Sequence, residues 1–199
     1  MTTKPFAESC EQNKQAILNV LEKVLADSRH LLEFGSGTGQ HAVYFGQHLP
    51  HLQWQTSDLQ NNHEGIKAWL EEAALPNVLS PLALDVSDAH WPPISVDSIF
   101  SANALHIMSW RCVEHLFVGI GKILESNGLV CIYGPFNYNN AFTSESNEKF
   151  DGWLKSRDPE SGIRNFENVD ALARAQGLVL VEDYEMPANN RTLVWEKIT

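Results

Sequence analysis

The stretch His30-Leu-Leu-Glu-Phe-Gly-Ser-Gly-Thr-Gly39 joins a short apolar run to three alternating glycines, with an acidic residue just ahead of them. The apolar run predicts a buried strand, and the glycines predict a turn directly after it. Glycine has no Cβ, so it tolerates a positive φ and lets a ligand approach the main chain. We therefore expect a strand that ends in a ligand-binding turn, and a turn that uses glycine only for packing is the alternative.

Two cofactor motifs can be aligned to this turn. Gly37-Thr-Gly-Gln-His-Ala42 fits the looser dinucleotide fingerprint that ends in alanine. In the other alignment, Glu33-x-Gly35-x-Gly37-x-Gly39 resembles motif I of class I S-adenosylmethionine (SAM) methyltransferases. That resemblance implies a loop under the amino acid end of SAM, formed by Gly35, Ser36, Gly37 and Gly39, and a Glu33 carboxylate that organises the loop and faces the SAM ammonium. A carboxylate here would repel a pyrophosphate, which favours SAM.

The composition predicts one soluble domain over residues 1–199. With 199 residues, 43% of them hydrophobic, the chain can bury a full core. Three scattered cysteines and histidines without ligand spacing predict a reduced, cytoplasmic setting and no metal site. No apolar run is long enough for a membrane span. The net charge of −11 opposes binding to phosphate backbones, so we do not expect a nucleic-acid partner.

Hydrophobic spacing predicts alternating helices and strands. After an N-terminal amphipathic helix within residues 1–28, we expect strands at 52–58, 78–85, 95–102 and 129–133, and helices at 40–49, 62–74 and around 116–124, the last ending near Asn127-Gly128. This order predicts an α/β fold: a mostly parallel, Rossmann-like sheet of the class I methyltransferase type, with helices on both faces. Segments 178–184 and 192–197 predict a C-terminal antiparallel hairpin, which a simple dinucleotide-binding domain lacks.

Polar residues close three predicted strands, where parallel sheets bind their ligands. Asp58, about 20 residues after the glycines, is placed to accept hydrogen bonds from both hydroxyls of a ribose, with Leu59 next to it. Asp85 and Val86 suit an adenine amino group and an apolar wall beside its ring. Asn103 and Ala104 should lie beside the methyl-transfer centre. Each is also a common turn or cap residue, but their succession favours a cofactor site.

Several further segments resemble the methyltransferase-like protein 26 family, long catalogued as a domain of unknown function. They are Glu11-Gln-Asn-Lys14, Asn103-Ala-Leu-His-Ile107, Tyr133-Gly-Pro-Phe136, Arg157-Asp-Pro159, Gly162-Ile-Arg164 and Met186-Pro-Ala-Asn-Asn190, together with Glu33 to His41. The resemblance implies a class I fold and SAM binding, with Asn13 at the cofactor and the 1–28 segment over it. Gln12 departs from the family pattern Glu-Arg-Asn-Lys, so its role stays open.

The expected reaction is in-line transfer of the SAM methyl group to an acceptor, which requires chiefly that a nucleophile be held in place. His106 is the candidate base, because it follows Asn103 in a loop over the site and titrates near neutrality. Tyr133 and Asn137 would orient the acceptor. The long polar segment 137–164 predicts a lid over the acceptor site, or else a structural helix at the sheet edge.

We expect a small-molecule acceptor first and a protein acceptor second, and the sequence leaves the oligomeric state open. Two other functions remain in view. An NAD(P)-dependent oxidoreductase would use the same strand-end carboxylate for its ribose. A non-catalytic SAM-binding protein would keep the cofactor residues without turnover.

Overall fold

Strands and helices alternate along most of the chain in the computed structural model, which describes residues 4–88 and 91–198. The predicted domain 1–199 and its N-terminal segment 1–28 therefore each extend beyond the described residues. The strands are β1 (His30–Phe34), β2 (Gln53–Asp58), β3 (Val78–Ala83), β4 (Val96–Ala102), β5 (Leu124–Gly134), β6 (Phe136–Asn137), β7 (Arg164–Asn165), β8 (Leu178–Met186) and β9 (Asn190–Lys197). The α-helices are α1 (Glu8–Val24), α2 (Gln40–His48), α3 (His63–Ala73), α4 (Trp110–Ile123), α5 (Glu145–Arg157) and α6 (Phe166–Ala175).

Seven of the strands form one sheet in the order β3-β2-β1-β4-β5-β9-β8. The first five are parallel, whereas β9 runs antiparallel to both β5 and β8. Strands β6 and β7 form a separate two-stranded ladder. The predicted fold class is confirmed, including the C-terminal antiparallel strands. Parallel strands point their carboxyl ends to one edge of the sheet, so the loops after β1, β2, β3, β4 and β5 meet there.

Both faces of the sheet are buried, which explains why its strands read as nearly continuous apolar runs. Along β5, Val130 and Ile132 belong to one hydrophobic cluster, which includes Trp195, whereas Cys131 belongs to the opposite cluster with Trp54. All five residues are at most 2% exposed. Two cores of this size fix the register of the strands and hence the positions of the loops after them.

The helix expected to stop near Asn127-Gly128 ends earlier, because Leu124 begins β5. Leu124 pairs with Val96, and the ladder then shifts register so that Leu129 pairs with Ser98. Lys197 of β9 satisfies the freed carbonyl of Leu124, with its Nζ 2.7 Å from that oxygen. A cap from the far end of the chain thus decides this boundary, which local spacing does not reveal.

Helix α1 is fixed on α2, immediately after the glycine turn. Ala7 N donates to Gln40 Oε1 at 2.6 Å, and Gln40 Nε2 donates to Glu11 Oε1 at 3.0 Å. His41 Nε2 donates to Asn13 Oδ1 at 2.7 Å. These bonds hold the first turns of α1 beside the carboxyl edge of the sheet. Among the described residues, no helix combines the length and apolar character needed to cross a bilayer.

Candidate active site

The turn after β1 is a left-handed glycine turn, as its sequence predicts. Gly35, Gly37 and Gly39 have φ values of 71°, 58° and 90°, which glycine adopts without the strain of a Cβ. Ser36 N donates to Ser57 O at 3.0 Å, and Gly39 N donates to Ser36 O at 2.9 Å. The turn is therefore tied to the end of β2 and leads directly into α2.

The three glycines do not serve the same purpose. A Cβ built on Gly37 meets no atom within 4 Å, so this position faces open space. A Cβ on Gly39 would lie 3.1 Å from Ile66 Cα in α3, and one on Gly35 would lie 3.5 Å from Ala104 Cβ. Gly37 is thus open to a ligand, whereas Gly39 allows close packing of α3.

Glu33 is almost completely buried, with 2% of its surface exposed. Its Oε2 accepts hydrogen bonds from Ser36 Oγ at 2.7 Å and Trp54 Nε1 at 3.1 Å. No hydrogen bond from the described residues reaches Oε1. Burial raises the pKa of Glu33 to about 7, with a smaller contribution from the charge of Asp58. This carboxyl group is poised to ionise when a cation comes near it.

Asp58 links the glycine turn to the loop after β2. Its Oδ2 accepts a hydrogen bond from Gly37 N at 2.7 Å, and its Oδ1 accepts one from Leu59 N and one from Asn62 Nδ2, each at 2.7 Å. Leu59 is 45% exposed. A cavity of about 410 Å³ lies next to these loops, lined by Pro5, Gly37, Thr38, Asn61, Asn62 and Gly65. Asp58 and Gly37 therefore stand beside a concave space that also touches the chain before α1.

Asp85 and Val86 lie in the loop after β3, in a different environment. Asp85 Oδ1 accepts hydrogen bonds from Ser87 N at 2.8 Å and Ser87 Oγ at 2.7 Å, which lower the pKa of Asp85. Val86 is buried and lines a cavity of about 610 Å³ against α4, together with Trp91 and Gly119. The predicted adenine contacts are thus in a turn and at a cavity on the α4 side, whose lining also includes Asp88, His115 and Lys122.

A further cavity of about 620 Å³ lies between α1 and α5, and we call it the α1–α5 cavity. It brings together four of the predicted site residues, which are Asn13, Asn103, His106 and Tyr133. The other lining residues are Ser9, Gln12, Ile107, Pro135, Ser146, Asn147, Phe150, Trp153, Leu154, Pro187, Ala188 and Asn190. Cofactor and acceptor candidates therefore meet at one cavity at the carboxyl edge of the sheet.

Asn103 and His106 point to the same place at the end of β5. Asn103 has a left-handed φ of 57°, and its N donates to Tyr133 O at 2.9 Å. A Cβ built on Gly134 would lie 3.9 Å from Asn103 Oδ1 and 3.8 Å from His106 Nδ1. Both polar atoms therefore border the same space beside Gly134.

His106 is a buried, neutral imidazole. It is 6% exposed, and its ring packs edge-on against Phe150 with centroids 5.3 Å apart. Burial lowers its pKa to about 4, and the positive charge of Arg164 adds to this effect. The ring can therefore accept a proton at neutral pH, although it is a weaker base than a solvated histidine.

Asn13 connects α1 to Tyr133. Its Oδ1 accepts the hydrogen bond from His41, and its side chain also bonds the Tyr133 hydroxyl. Burial lowers the pKa of His41 to about 4 and raises that of Tyr133. Both side chains are thus neutral near pH 7, and Asn13 contacts both of them.

Asn137 does not line the α1–α5 cavity. It lies in β6 opposite Asn165, is 8% exposed, and its Oδ1 has no hydrogen-bond partner in the part of the chain that the structure describes. The predicted role of Asn137 in orienting an acceptor therefore has no counterpart in the cavity lining. The sequence puts Asn137 shortly after β5, but it does not show that this residue is buried in β6.

Most of the lining residues were not predicted as site residues, and four of these are Gln12, Phe150, Trp153 and Asn190. Each lies in a segment that sequence analysis had already marked for another reason, either the family resemblance or the long 137–164 connection. Which side chains of those segments face the cavity depends on how α1 and α5 dock. That docking rests on long-range contacts that periodicity does not supply.

Segment 137–164 is docked on the loop after β4. Ser161 Oγ donates to Ile107 O at 2.9 Å, and Gly162 N donates to His106 O at 2.9 Å. At its other end, Asn147 Nδ2 donates to Asn189 O at 3.1 Å. Helix α5 is thereby held across the cavity between the His106 loop and the turn before β9.

Comparison with solved structures places this fold among the methyltransferases. An O-methyltransferase family protein from Burkholderia thailandensis matches with a TM-score of 0.82 and 15% identity, over 94% of this chain and 56% of that one. Human N-acetylserotonin methyltransferase, solved with SAM, matches with a TM-score of 0.79 and 16% identity, over 96% and 53%. An O-methyltransferase family 2 protein from Planctomyces limnophilus, solved with apigenin, matches with a TM-score of 0.75 and 16% identity, over 93% and 62%.

The chain spans between about half and three fifths of the length of these three proteins. They share its fold, which is that of the class I SAM-dependent methyltransferases. The family model described as "Protein of unknown function (DUF938)" matches residues 4–197, which is nearly all of the sequence. The narrower resemblance to methyltransferase-like protein 26 stays a prediction. Because the DUF938 model matches nearly the whole sequence, the chain belongs to the DUF938 family.

Proposed function

We propose that this protein is a SAM-dependent methyltransferase that acts on a small molecule. One observation carries the proposal: the open position at Gly37, tied to the Asp58 carboxylate, lies on the same edge of the sheet as the α1–α5 cavity. A cofactor on the glycine turn and an acceptor in the cavity would then be neighbours.

The residues of the turn suit SAM. Glu33 offers Oε1, which no described residue binds, to the ammonium of the cofactor, and Asp58 offers its partly exposed carboxylate to the ribose hydroxyls. Gly37 leaves room that the amino acid end would occupy, and Asn103 would border the methyl group. The oxidoreductase alternative finds less support, because the dinucleotide-binding order lacks the antiparallel β9 between β5 and β8.

When bound, SAM would supply a methyl group on a sulfonium, so the acceptor's lone pair would form the new bond while the S–C electron pair returned to sulfur. The protein's own task is to position the acceptor and to take up its proton. His106 Nδ1 faces the space at the end of β5 and is neutral, so it can accept that proton. Asn13 and Tyr133, linked by their hydrogen bond, orient the acceptor.

Two segments would enclose the reactants. The 1–28 segment would cover the cofactor through α1, which is bonded to Gln40 and His41 beside the glycine turn. Segment 137–164 would cover the acceptor through α5, whose Phe150 and Trp153 line the cavity. Excluding water from the space between them strengthens the electrostatic contacts within it. The three free cysteines suit a reducing compartment such as the cytoplasm.

The proposal is tested by incubating the protein with SAM that carries a deuterated methyl group and with a library of small hydroxylated and amine-bearing molecules. Mass spectrometry should find a product with the labelled methyl group and an equal amount of S-adenosylhomocysteine (SAH). The variant Asp58→Asn should lower the rate through weaker SAM binding. If SAM binds but no library member is methylated and a protein acceptor is, the small-molecule part of the proposal is wrong.

A further inference from the structure

The α1–α5 cavity contains no charged side chain. In the part of the chain that the structure describes, none of its lining residues is Lys, Arg, Asp or Glu. Its titratable members, His106 and Tyr133, are both buried, which disfavours their charged forms. The other polar side chains of the lining are amides and hydroxyls, which can both donate and accept hydrogen bonds. They can therefore bind a neutral polar group of a ligand.

Two arginines of segment 137–164 are engaged outside the cavity. Arg164 donates to the carbonyl oxygens of Leu105, Met108 and Glu160, which keeps its guanidinium behind the loop after β4. Arg157 lies with its guanidinium 4.8 Å from the centre of the Trp153 ring. Neither residue lines the cavity, so the protein would supply no counter-ion to an acceptor carboxylate or phosphate that is desolvated there. The net charge of −11 opposes anions further.

A cationic acceptor is disfavoured as well. The cavity offers it no carboxylate, and the Trp153 ring, which could attract a cation through its π face, already has Arg157 beside it. Under the proposed function, the sulfonium of SAM would add a further positive charge nearby. An uncharged acceptor avoids all of these costs.

Aromatic rings form one wall of the cavity. Phe150 and Trp153 stack with centroids 5.8 Å apart and planes 16° apart, and Phe150 meets the His106 ring edge-on. Trp153 is 50% exposed and Ile107 is 58% exposed, although both line the cavity. Large exposed apolar side chains at a cavity rim are typical of a surface that a ligand covers. A flat aromatic ring would cover the exposed parts of both side chains.

Gln12 lines the same cavity from α1. Its side chain is exposed, and it makes no hydrogen bond with any described residue, so it is available to a ligand. An uncharged amide at this position would hydrogen-bond a hydroxyl or carbonyl substituent but would not attract an anion.

Resting on the proposed function, we infer that the acceptor is an uncharged aromatic molecule that carries a hydroxyl group, with Trp153 as part of its apolar contact surface and Gln12 as a residue that sets the preference for an uncharged acceptor. The methyl group would go to that hydroxyl oxygen, and the hydroxyl proton would go to His106 or to water. Neutral rings of this kind should bind better than the same rings with a carboxylate.

The test uses matched pairs of probes: caffeic acid with its methyl ester, and protocatechuic acid with its methyl ester. Binding to the SAH-saturated protein is measured by ligand-observed NMR. Each ester should bind at least about tenfold more tightly than its acid. Trp153→Ala should weaken ester binding. Gln12→Lys should strengthen acid binding several-fold, whereas Asn19→Lys, an equal change of charge on the exposed part of α1, should leave the preference unaltered.

Equal binding of ester and acid, or binding of neither ester, would overturn the inference. Binding of the same acid and ester pairs is also measured without SAH, and SAH binding is measured separately by calorimetry. If SAH does not bind but the esters are still preferred, the proposed function fails while the charge preference stands. If SAH binds and the acids are preferred, only the inference about the acceptor fails.

Discussion

At the scale of single residues, Glu33 combines a stability cost with a binding function. Its folded-state pKa of about 7 exceeds the ordinary value of 4.5, so the folded protein loses stability as the pH rises from about 4.5 to about 7. Glu33→Gln cannot ionise, and Gln can still accept the bonds from Ser36 and Trp54. Urea unfolding should show this variant up to about 3 kcal/mol more stable than the parent at pH 8 and nearly equal at pH 4.

The same variant should bind SAM more weakly, because the ammonium loses its carboxylate partner. Glu22→Gln, which removes an exposed acid on α1, serves as the control and should change neither property. A Glu33→Gln variant that gains no stability at pH 8 would contradict the raised pKa.

His106 gives a second prediction at this scale. A base must be neutral to accept a proton, so turnover should be lost only as the pH falls through its pKa, which burial lowers to about 4. With an acceptor in hand, kcat/KM should therefore show no acidic limb near pH 6.5. His106→Gln should lower kcat/KM while leaving SAM affinity within about threefold. An acidic limb near pH 6.5 that disappears in His106→Gln would contradict the lowered pKa, and full activity in the variant would exclude His106 as the base.

At the scale of elements, two glycines of the turn after β1 have different roles: Gly37 leaves space for a ligand, and Gly39 allows close packing of α3. Gly37→Val places its side chain in open space at a left-handed φ, so we expect a loss of only about 1 to 3 kcal/mol in stability together with loss of SAM binding. Gly39→Val is the matched variant, and it should be clearly less stable, because its Cβ would press on the backbone of Ile66. Thermal unfolding and SAM titration measure the two effects, and equal destabilisation by both variants would contradict the distinction.

Helix α5 gives the other prediction for an element. Asn147 is 5% exposed and donates to Thr143 Oγ1 at 2.9 Å and to Asn189 O at 3.1 Å, which fixes the start of α5 to the turn before β9. Asn147→Ala should speed amide hydrogen exchange across Glu145–Arg157 while leaving exchange in the central strands unchanged. Lys149→Ala, which removes an exposed ion pair with Glu145, should have little effect. Unchanged exchange in Asn147→Ala would mean that this contact does not hold α5 in place.

At the scale of the whole molecule, the sheet could be predicted much further than the cavity. Continuous apolar runs such as Val130 to Tyr133 follow from burial on both faces of the sheet, so the strands and their alternation with helices are visible in the sequence. The glycine turn is also visible in the sequence, because φ values near 60° to 90° favour glycine. The end of α4 is not, because Lys197 caps it from the far end of the chain.

The cavity lining depends on how separate elements dock. Asn13 and His106 lie in segments that resemble the family, so they could be proposed from the sequence. Phe150 and Trp153 reach the cavity because β6 pairs with β7 and because Ser161 and Gly162 hold the segment on the loop after β4. Asn137 is expected at the acceptor because it follows β5 in sequence, but it is buried in the two-residue β6 and does not line the cavity. Side-chain direction after a strand is set by such short pairings, which leave no periodic signal.

The central claim is that the glycine turn and Asp58 bind SAM. Calorimetric titration of the protein with SAM, SAH and NAD tests it most directly. We expect SAM and SAH to bind at one site and to raise the melting temperature, because they bind only the folded state, and we expect NAD to do neither. Asp58→Ala should weaken SAM binding by about 1.5 to 3 kcal/mol, the usual value for a hydrogen bond to a charged group. Tighter binding of NAD than of SAM, or no binding of SAM at all, would contradict the claim.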